Sequence, residues 1–210
     1  MKILVVAATR AELTGTYAYF GLPDEDFVQT ERFDILITGV GMTATAFALG
    51  RYLSSNYQLV VNLGIAGCYD HSVPLGTLLQ ITSDQFSELG AEDKEEFIPI
   101  ESLGFGKSIY QSADTIQNEL LSVLRKVNGI TVNKVHGNKR SIQTIIDRLS
   151  PVTESMEGAA VFYACEQTGT DGIQVRSISN YVEERNRDSW KIGLALKNLN
   201  DWAIEFLTNS

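Results

Sequence analysis

The chain has 210 residues, 44% of them hydrophobic, and a formal net charge of −9. That length suits one well-cored domain over residues 1–210 and is short for two independent ones. The acidic balance argues against a polyanion partner, because tracking phosphates needs a dense Lys/Arg face; no nucleic acid is expected, and a small molecule is.

The first eight residues, Met1 to Ala8, are apolar but stop at Thr9 and Arg10, too soon for a signal-peptide core, and read as a buried strand over 2–8. Apolar, β-rich runs recur at 33–38, 59–64, 77–82, 130–136 and 173–179, several nearly continuous, as suits strands covered on both faces. Between them the sequence predicts helices at 42–55, 113–127, 141–149, 157–168 and 188–208, with Asn56, Gly129 and Gly169 closing three of them. This alternation predicts an α/β sandwich with a mixed, largely parallel sheet. The segment 84–107, with its acidic run from Glu92 to Glu96 and its glycines Gly104 and Gly106, lacks periodicity and reads as a long excursion suited to a lid or a subunit contact.

No apolar run approaches the roughly 20 residues of a bilayer span, so a soluble, cytoplasmic protein with no membrane partner is expected. Cys68 and Cys165 lie in apolar stretches without metal or redox spacing and read as buried free thiols. His71 and His136 stand apart in sequence from each other and from any ligand-like cluster, so no metal is expected.

Four stretches carry candidate chemistry. Glu12 follows the first strand, where the carboxyl end of a strand in an open α/β sheet meets the ligand crevice; a surface acid in the first turn of a helix is the plainer alternative. Glycine turns follow two strands, Thr38-Gly39-Val40-Gly41-Met42-Thr43 and Asn62-Leu63-Gly64-Ile65-Ala66-Gly67. The first lacks the third glycine and the later acid of a dinucleotide fingerprint, so no nicotinamide cofactor is expected. Glu157, in Ser155-Met156-Glu157-Gly158-Ala159-Ala160, stands at a helix start, where it can accept both hydroxyls of a vicinal diol. Asn180 ends Val175-Arg176-Ser177-Ile178-Ser179-Asn180 and offers an amide at the same crevice or, more plainly, a turn.

In this order the four stretches resemble the superfamily of nucleoside phosphorylases and methylthioadenosine/S-adenosylhomocysteine nucleosidases, over nearly the whole chain. The resemblance implies a three-layer, nucleoside phosphorylase-like sandwich and assigns expected roles. Glu12 is the counterpart of the acid that activates water, Met156 and Glu157 of the pair that holds the ribose, and Gly64, Ala66 and Gly67 of the turn beneath sugar and base. It also implies no cofactor and a homo-oligomer, at least a dimer. The departure is at the base, where adenine-specific members carry Asp and this chain has Asn180. An asparagine can donate its N–H to a 6-oxo group and accept a proton already on N7, so hypoxanthine is the expected base.

Phosphorylases of this fold place an arginine beside the glycine turn to clamp phosphate. Here Asn62 precedes Leu63-Gly64, and hydrolysis is expected. The stretches 84–93 and 180–190 narrow the resemblance to hydrolases acting on a hypoxanthine nucleoside with an aryl carboxylate on its sugar arm, for which Lys139, Arg140, Arg185 and Arg187 are the candidate grips. Two alternatives stay open: an adenine-directed nucleosidase, and a nucleoside-binding protein without catalysis.

Overall fold

The computed structural model describes residues 2–209. The strands are β1 (Ile3–Ala7), β2 (Phe27–Gln29), β3 (Phe33–Ile37), β4 (Leu59–Cys68), β5 (Leu78–Phe86), β6 (Gly90–Asp93), β7 (Glu96–Pro99), β8 (Ile109–Gln111), β9 (Arg125–Thr131), β10 (Thr153–Ser155) and β11 (Asp171–Tyr181). The helices are α1 (Thr14–Phe20), α2 (Met42–Tyr52), α3 (Glu119–Ser122), α4 (Lys139–Leu149), α5 (Gly158–Thr168) and α6 (Ile192–Thr208).

Alternate residues of the central strands point to opposite faces, and helices cover both. Ile3, Val5 and Ala7 of β1, with Leu59, Val61 and Leu63 of β4, pack against Leu199, Trp202 and Phe206 of α6. Leu4, Val6 and Val60 pack instead against Leu49 of α2 and Val161 of α5. Each of the larger aliphatic side chains contributes roughly 1.5–3 kcal/mol by leaving water, which is why these strands read as unbroken apolar runs. The result is a three-layer α/β sandwich.

The main sheet has the order β10-β9-β5-β11-β4-β1-β3-β2, with β8 on β5. β3, β1, β4 and β11 run parallel, as do β5, β9 and β10, and the two groups meet where β11 and β5 pair antiparallel. β10 also pairs with β4, closing β4, β11, β5, β9 and β10 into a ring. This closure gives Gly67 at the end of β4 two neighbours, Glu154 of β10 and Asn180 of β11.

Several expectations are corrected. The helix expected over 113–127 is only the single turn α3, entered through Asn118, whose side chain accepts the N–H groups of Leu120 and Leu121. Before it, Ser112 and Ala113 donate to Thr82 and Gly172 as extended chain, and β9 already begins at Arg125. The apolar residues 116, 120 and 124 sit at helical spacing but pack as extended chain and a short turn beneath the main core. Gly129, expected to stop that helix, lies inside β9, where a side chain would approach Thr153 Oγ1 to 2.9 Å. The strand expected over 130–136 therefore starts five residues earlier and ends at Thr131. α2 ends at Tyr52, short of Asn56. Gly169 does close α5, in the left-handed conformation with φ 67°. The 84–107 excursion begins as the end of β5 and then forms the β6–β7 hairpin.

Candidate active site

A cavity of about 300 Å³ opens at the carboxyl ends of β1, β4 and β11, the position open α/β sheets use for ligands. Glu12, Ala66, Gly67, Met156, Glu157 and Asn180 all line it. Gly64 is not among the lining residues.

Glu12 sits in a 3₁₀ turn, Arg10–Leu13, that the Thr9 cap sets directly after β1. Its Oε2 accepts the Thr9 N–H at 2.9 Å and its Oε1 the Ile65 N–H at 3.2 Å. Burial raises its pKa above the ordinary carboxylate value; the Arg176 charge and these two N–H groups oppose the rise, and the charge of Glu157 adds to it.

Glu157 is the N-cap residue of α5, and its Oε1 accepts the Gly41 N–H at 3.0 Å. Gly41 has φ 95°, a region that favours glycine. The first glycine turn thus presents a backbone donor to a carboxylate of the cavity.

The residue that sequence reasoning missed at this end is Arg176. It is 1% exposed and pairs in register with Gly64. A side chain at Gly64 would fall 1.9 Å from Arg176 Nη1 and 2.8 Å from Glu12 Oε1, so only glycine leaves room there for the guanidinium and the carboxylate. An arginine does stand beside the glycine turn, delivered by β11 and not by the residue before the turn. Its Nη2 donates to Gln174 Oε1 at 3.0 Å, and the Arg176 side chain does not line the cavity. Glu12 feels it through charge alone, the Arg176 guanidinium opposing the rise that burial gives the Glu12 pKa.

Gln174 extends this into a buried network. Its Oε1 also accepts from Asn62 at 2.6 Å, and its Nε2 donates to Asp84 Oδ2 at 2.8 Å. Thr131 donates to Asp84 Oδ1 at 2.8 Å and accepts the Ala159 N–H at 2.7 Å. Burial pushes the Asp84 carboxyl up to about 6 against these hydrogen bonds and the Arg176 charge. The network ties the start of α5, which carries Glu157, to the arginine beside Glu12. Asn62, noted in the sequence for not being arginine, is one of its links.

At the other end, β11 carries a bulge between Ile178 and Asn180, a distortion that re-aims side chains. Asn180 Oδ1 accepts the Ser179 hydroxyl at 2.8 Å, and its Nδ2 donates to the Tyr181 carbonyl at 3.0 Å. One N–H and one lone pair remain for a ligand. His136 and Glu154 line this end too. His136 belongs to no motif in the sequence; the structure sets its ring against Glu154 and within 3.4 Å of the Tyr69 hydroxyl. Of the four candidate cations, only Arg185 lines the cavity, its guanidinium 5.3 Å from the Trp190 ring centre. Lys139 pairs with Glu184 outside it. No residue of 84–107 lines it.

The architecture and the cavity define a nucleoside-processing fold of a known family. The sequence profile described as the phosphorylase superfamily matches residues 34–207, and the chain belongs to that superfamily. It is 28% identical to the futalosine hydrolase of Streptomyces coelicolor over 96% of this chain and 93% of that protein. It is 33% identical to the futalosine hydrolase of Acidothermus cellulolyticus over 81% of this chain and 73% of that one. Among solved structures, the futalosine hydrolase of Helicobacter pylori superposes with a TM-score of 0.82 at 16% identity, covering 100% of this chain and 97% of that one. A variant of the 5′-methylthioadenosine/S-adenosylhomocysteine nucleosidase of the same organism, with 5′-methylthioadenosine in its active site, gives 0.80 at 17%, covering 99% and 98%.

Proposed function

We propose that this chain is an N-glycosyl hydrolase that cleaves futalosine, an intermediate on the way to menaquinone, into hypoxanthine and dehypoxanthine futalosine. The observation that carries the reading is the convergence of Glu12, Glu157 and Asn180, from three distant parts of the sequence, on one cavity. The two futalosine hydrolase relatives at 28% and 33% identity support the substrate.

In this reading, bond breaking leaves positive charge on the ribosyl ring. Glu12 takes the proton of an attacking water, and its raised pKa makes it a better base than a free carboxylate. Glu157, with Oε1 occupied by Gly41, offers Oε2 to the ribose hydroxyls and stabilises the developing charge. Ala66, Gly67 and Met156 form the surface beneath sugar and base. Asn180 meets O6 and N7 of the purine. Arg185, with Trp190 beside it, meets the aryl carboxylate. Water is favoured over phosphate because the buried arginine near the glycine turn is held by Gln174 and does not line the cavity.

Chromatography of products from futalosine, with and without phosphate, tests the reading. Hypoxanthine and a free sugar in both samples support it; a phosphate-dependent sugar phosphate overturns it. Methylthioadenosine and aminodeoxyfutalosine run in parallel test the adenine-directed alternative, and tight binding without turnover would mark a binding protein. No helix among the described residues is long and apolar enough to cross a membrane, in keeping with a cytoplasmic enzyme. A homo-oligomer is proposed on a groove lined by Met42, Ala46, Leu89 and Tyr163 beside the exposed Phe47. A second copy is its occupant; a monomeric mass by light scattering would refute this.

A further inference from the structure

The cavity holds an acid–base group that the roles above leave unused. Glu154 is 4% exposed, and both of its oxygens are engaged. Oε1 accepts the His136 backbone N–H at 2.9 Å, while Oε2 meets His136 Nδ1 and accepts the Tyr69 hydroxyl at 2.8 Å. A carboxylate at Nδ1 fixes the ring and keeps a proton there, leaving Nε2 as the nitrogen open to a ligand. Strand register puts the pair at the Asn180 end, since Gly67 faces Glu154 on one side and Asn180 on the other.

The chemistry there lacks a proton. A departing 6-oxopurine takes the electron pair of the C1′–N9 bond, and Asn180 has no proton it can transfer. Resting on the reading of this site as a hypoxanthine-releasing hydrolase, we propose that His136 is the general acid that protonates the leaving purine, with Glu154 and Tyr69 as its positioning residues. As C1′–N9 breaks, the Nε2 proton of the His136 imidazolium passes to the imidazole ring of the purine. Water oxygen forms the new bond to C1′, and the water proton goes to Glu12. Afterwards Glu12 releases that proton to solvent and His136 takes one up, so the cycle balances.

Glu154 and Tyr69 touch the imidazole, Arg185 and Glu183 from the loop after β11 share its cavity, and on its outer side Arg140 and Arg148 of α4 and the acidic β6–β7 hairpin border a second cavity that it also lines. Of these groups, Glu154 is the acid in direct contact with the imidazole.

The test compares His136→Gln and Glu154→Gln with the unsubstituted protein on two glycosides across pH. One is futalosine; the other is p-nitrophenyl β-D-ribofuranoside, whose nitrophenolate departs without a proton. For His136→Gln, kcat on futalosine is expected to fall about 10²-fold or more, and the alkaline fall of the pH profile to disappear. Cleavage of the nitrophenyl riboside stays within a few-fold. Glu154→Gln follows the same pattern more weakly. Futalosine cleavage retained within about threefold, a size outside the general-acid range, overturns the proposal. So does an equal loss on both glycosides with an unchanged pH profile, the mark of a structural role. Should the nitrophenyl riboside be too poor a substrate, the futalosine pH profile alone decides in the same sense. Failure of the unsubstituted protein to release hypoxanthine fells the hydrolase reading itself, and is seen before any variant is made.

Discussion

At one end of the cavity, Glu12 and Glu157 are gripped by backbone N–H groups of Thr9, Ile65 and Gly41 and backed by the buried Asp84–Gln174–Arg176 network. At the other, Asn180 leans on its own neighbours Ser179 and Tyr181, and His136 and Arg185 project from the segments between β9 and α4 and between β11 and α6. The first end is a turn and a helix start locked by backbone donors and interior polar groups; the second is a bulged strand end and connecting chain. Charge stabilisation needs donors and acceptors fixed in advance, whereas choice of ligand can be retuned in connecting segments without disturbing the frame. On the proposed function the sugar chemistry belongs to the first end and the base and sugar arm to the second.

The sharpest break of this contrast is Glu12→Gln. It keeps shape and removes the base, and kcat should drop by about 10³-fold or more. Folding should survive, because the neutral amide escapes the burial that disfavours the carboxylate. Steady-state hydrolysis and near-ultraviolet circular dichroism check the two halves, and substantial remaining turnover removes Glu12 from the mechanism.

Arg176→Met comes next and tests whether the network serves the carboxylate. Glu12 already titrates high because burial outweighs the Arg176 charge. Losing that charge moves the Glu12 pKa further up, so the acid limb of the kcat profile, where activity is lost as pH falls, shifts to higher pH. Arg176 is buried and donates to Gln174, so a loss of melting temperature should accompany the shift. A variant that loses stability with the acid limb unmoved would make Arg176 purely structural. The network also carries its own pH signature. The Asp84 carboxyl, raised to about 6, binds a proton more readily folded than unfolded, so its contribution weakens stability as pH rises from the ordinary aspartate value through that point.

The same division explains what the sequence made legible. Glu12, Glu157 and Asn180 lie in short local motifs whose chemistry is visible from residue type and from their place after strands, and they do line one cavity. Arg176 stood inside one of those motifs, yet its role depends on strand register, which brings it over Gly64 from more than a hundred residues away. His136 and Glu154 meet only because β9 and β10 pair, and no spacing rule links a histidine to an acid 18 positions on. Gly64 looked like ligand contact for the same reason that it is glycine, but the group approaching it is the protein's own guanidinium. The buried strands declared themselves by unbroken apolar runs. The failed helix over 113–127 had helical apolar spacing, and tertiary packing against the core overrode it.

Asn180→Asp addresses the base end without touching the network. A carboxylate accepts the amino proton of adenine and repels O6 of hypoxanthine, so kcat/KM for hypoxanthine nucleosides should fall by about 10- to 100-fold while that for adenine nucleosides rises. Competition between the two nucleosides measures the ratio directly. An unchanged ratio would mean that the base is read elsewhere, with the His136 loop the next place to look.

The smallest effect expected is Arg185→Ala. Arg185 is the only one of the four candidate cations that lines the cavity, and it makes no ion pair with an acid among the described residues. A charge-assisted contact to the aryl carboxylate is worth about 1.5–3 kcal/mol, so KM for futalosine should rise roughly 10- to 100-fold by that energy, with kcat nearly constant because the contact is made equally in the bound and transition states. Inosine has no carboxylate on its sugar arm, so its kinetics should be indifferent to the change. A KM for inosine that rises in step would place Arg185 against the purine or in support of Trp190. The group that grips the carboxylate would then have to be sought among contributions from a second copy of the chain.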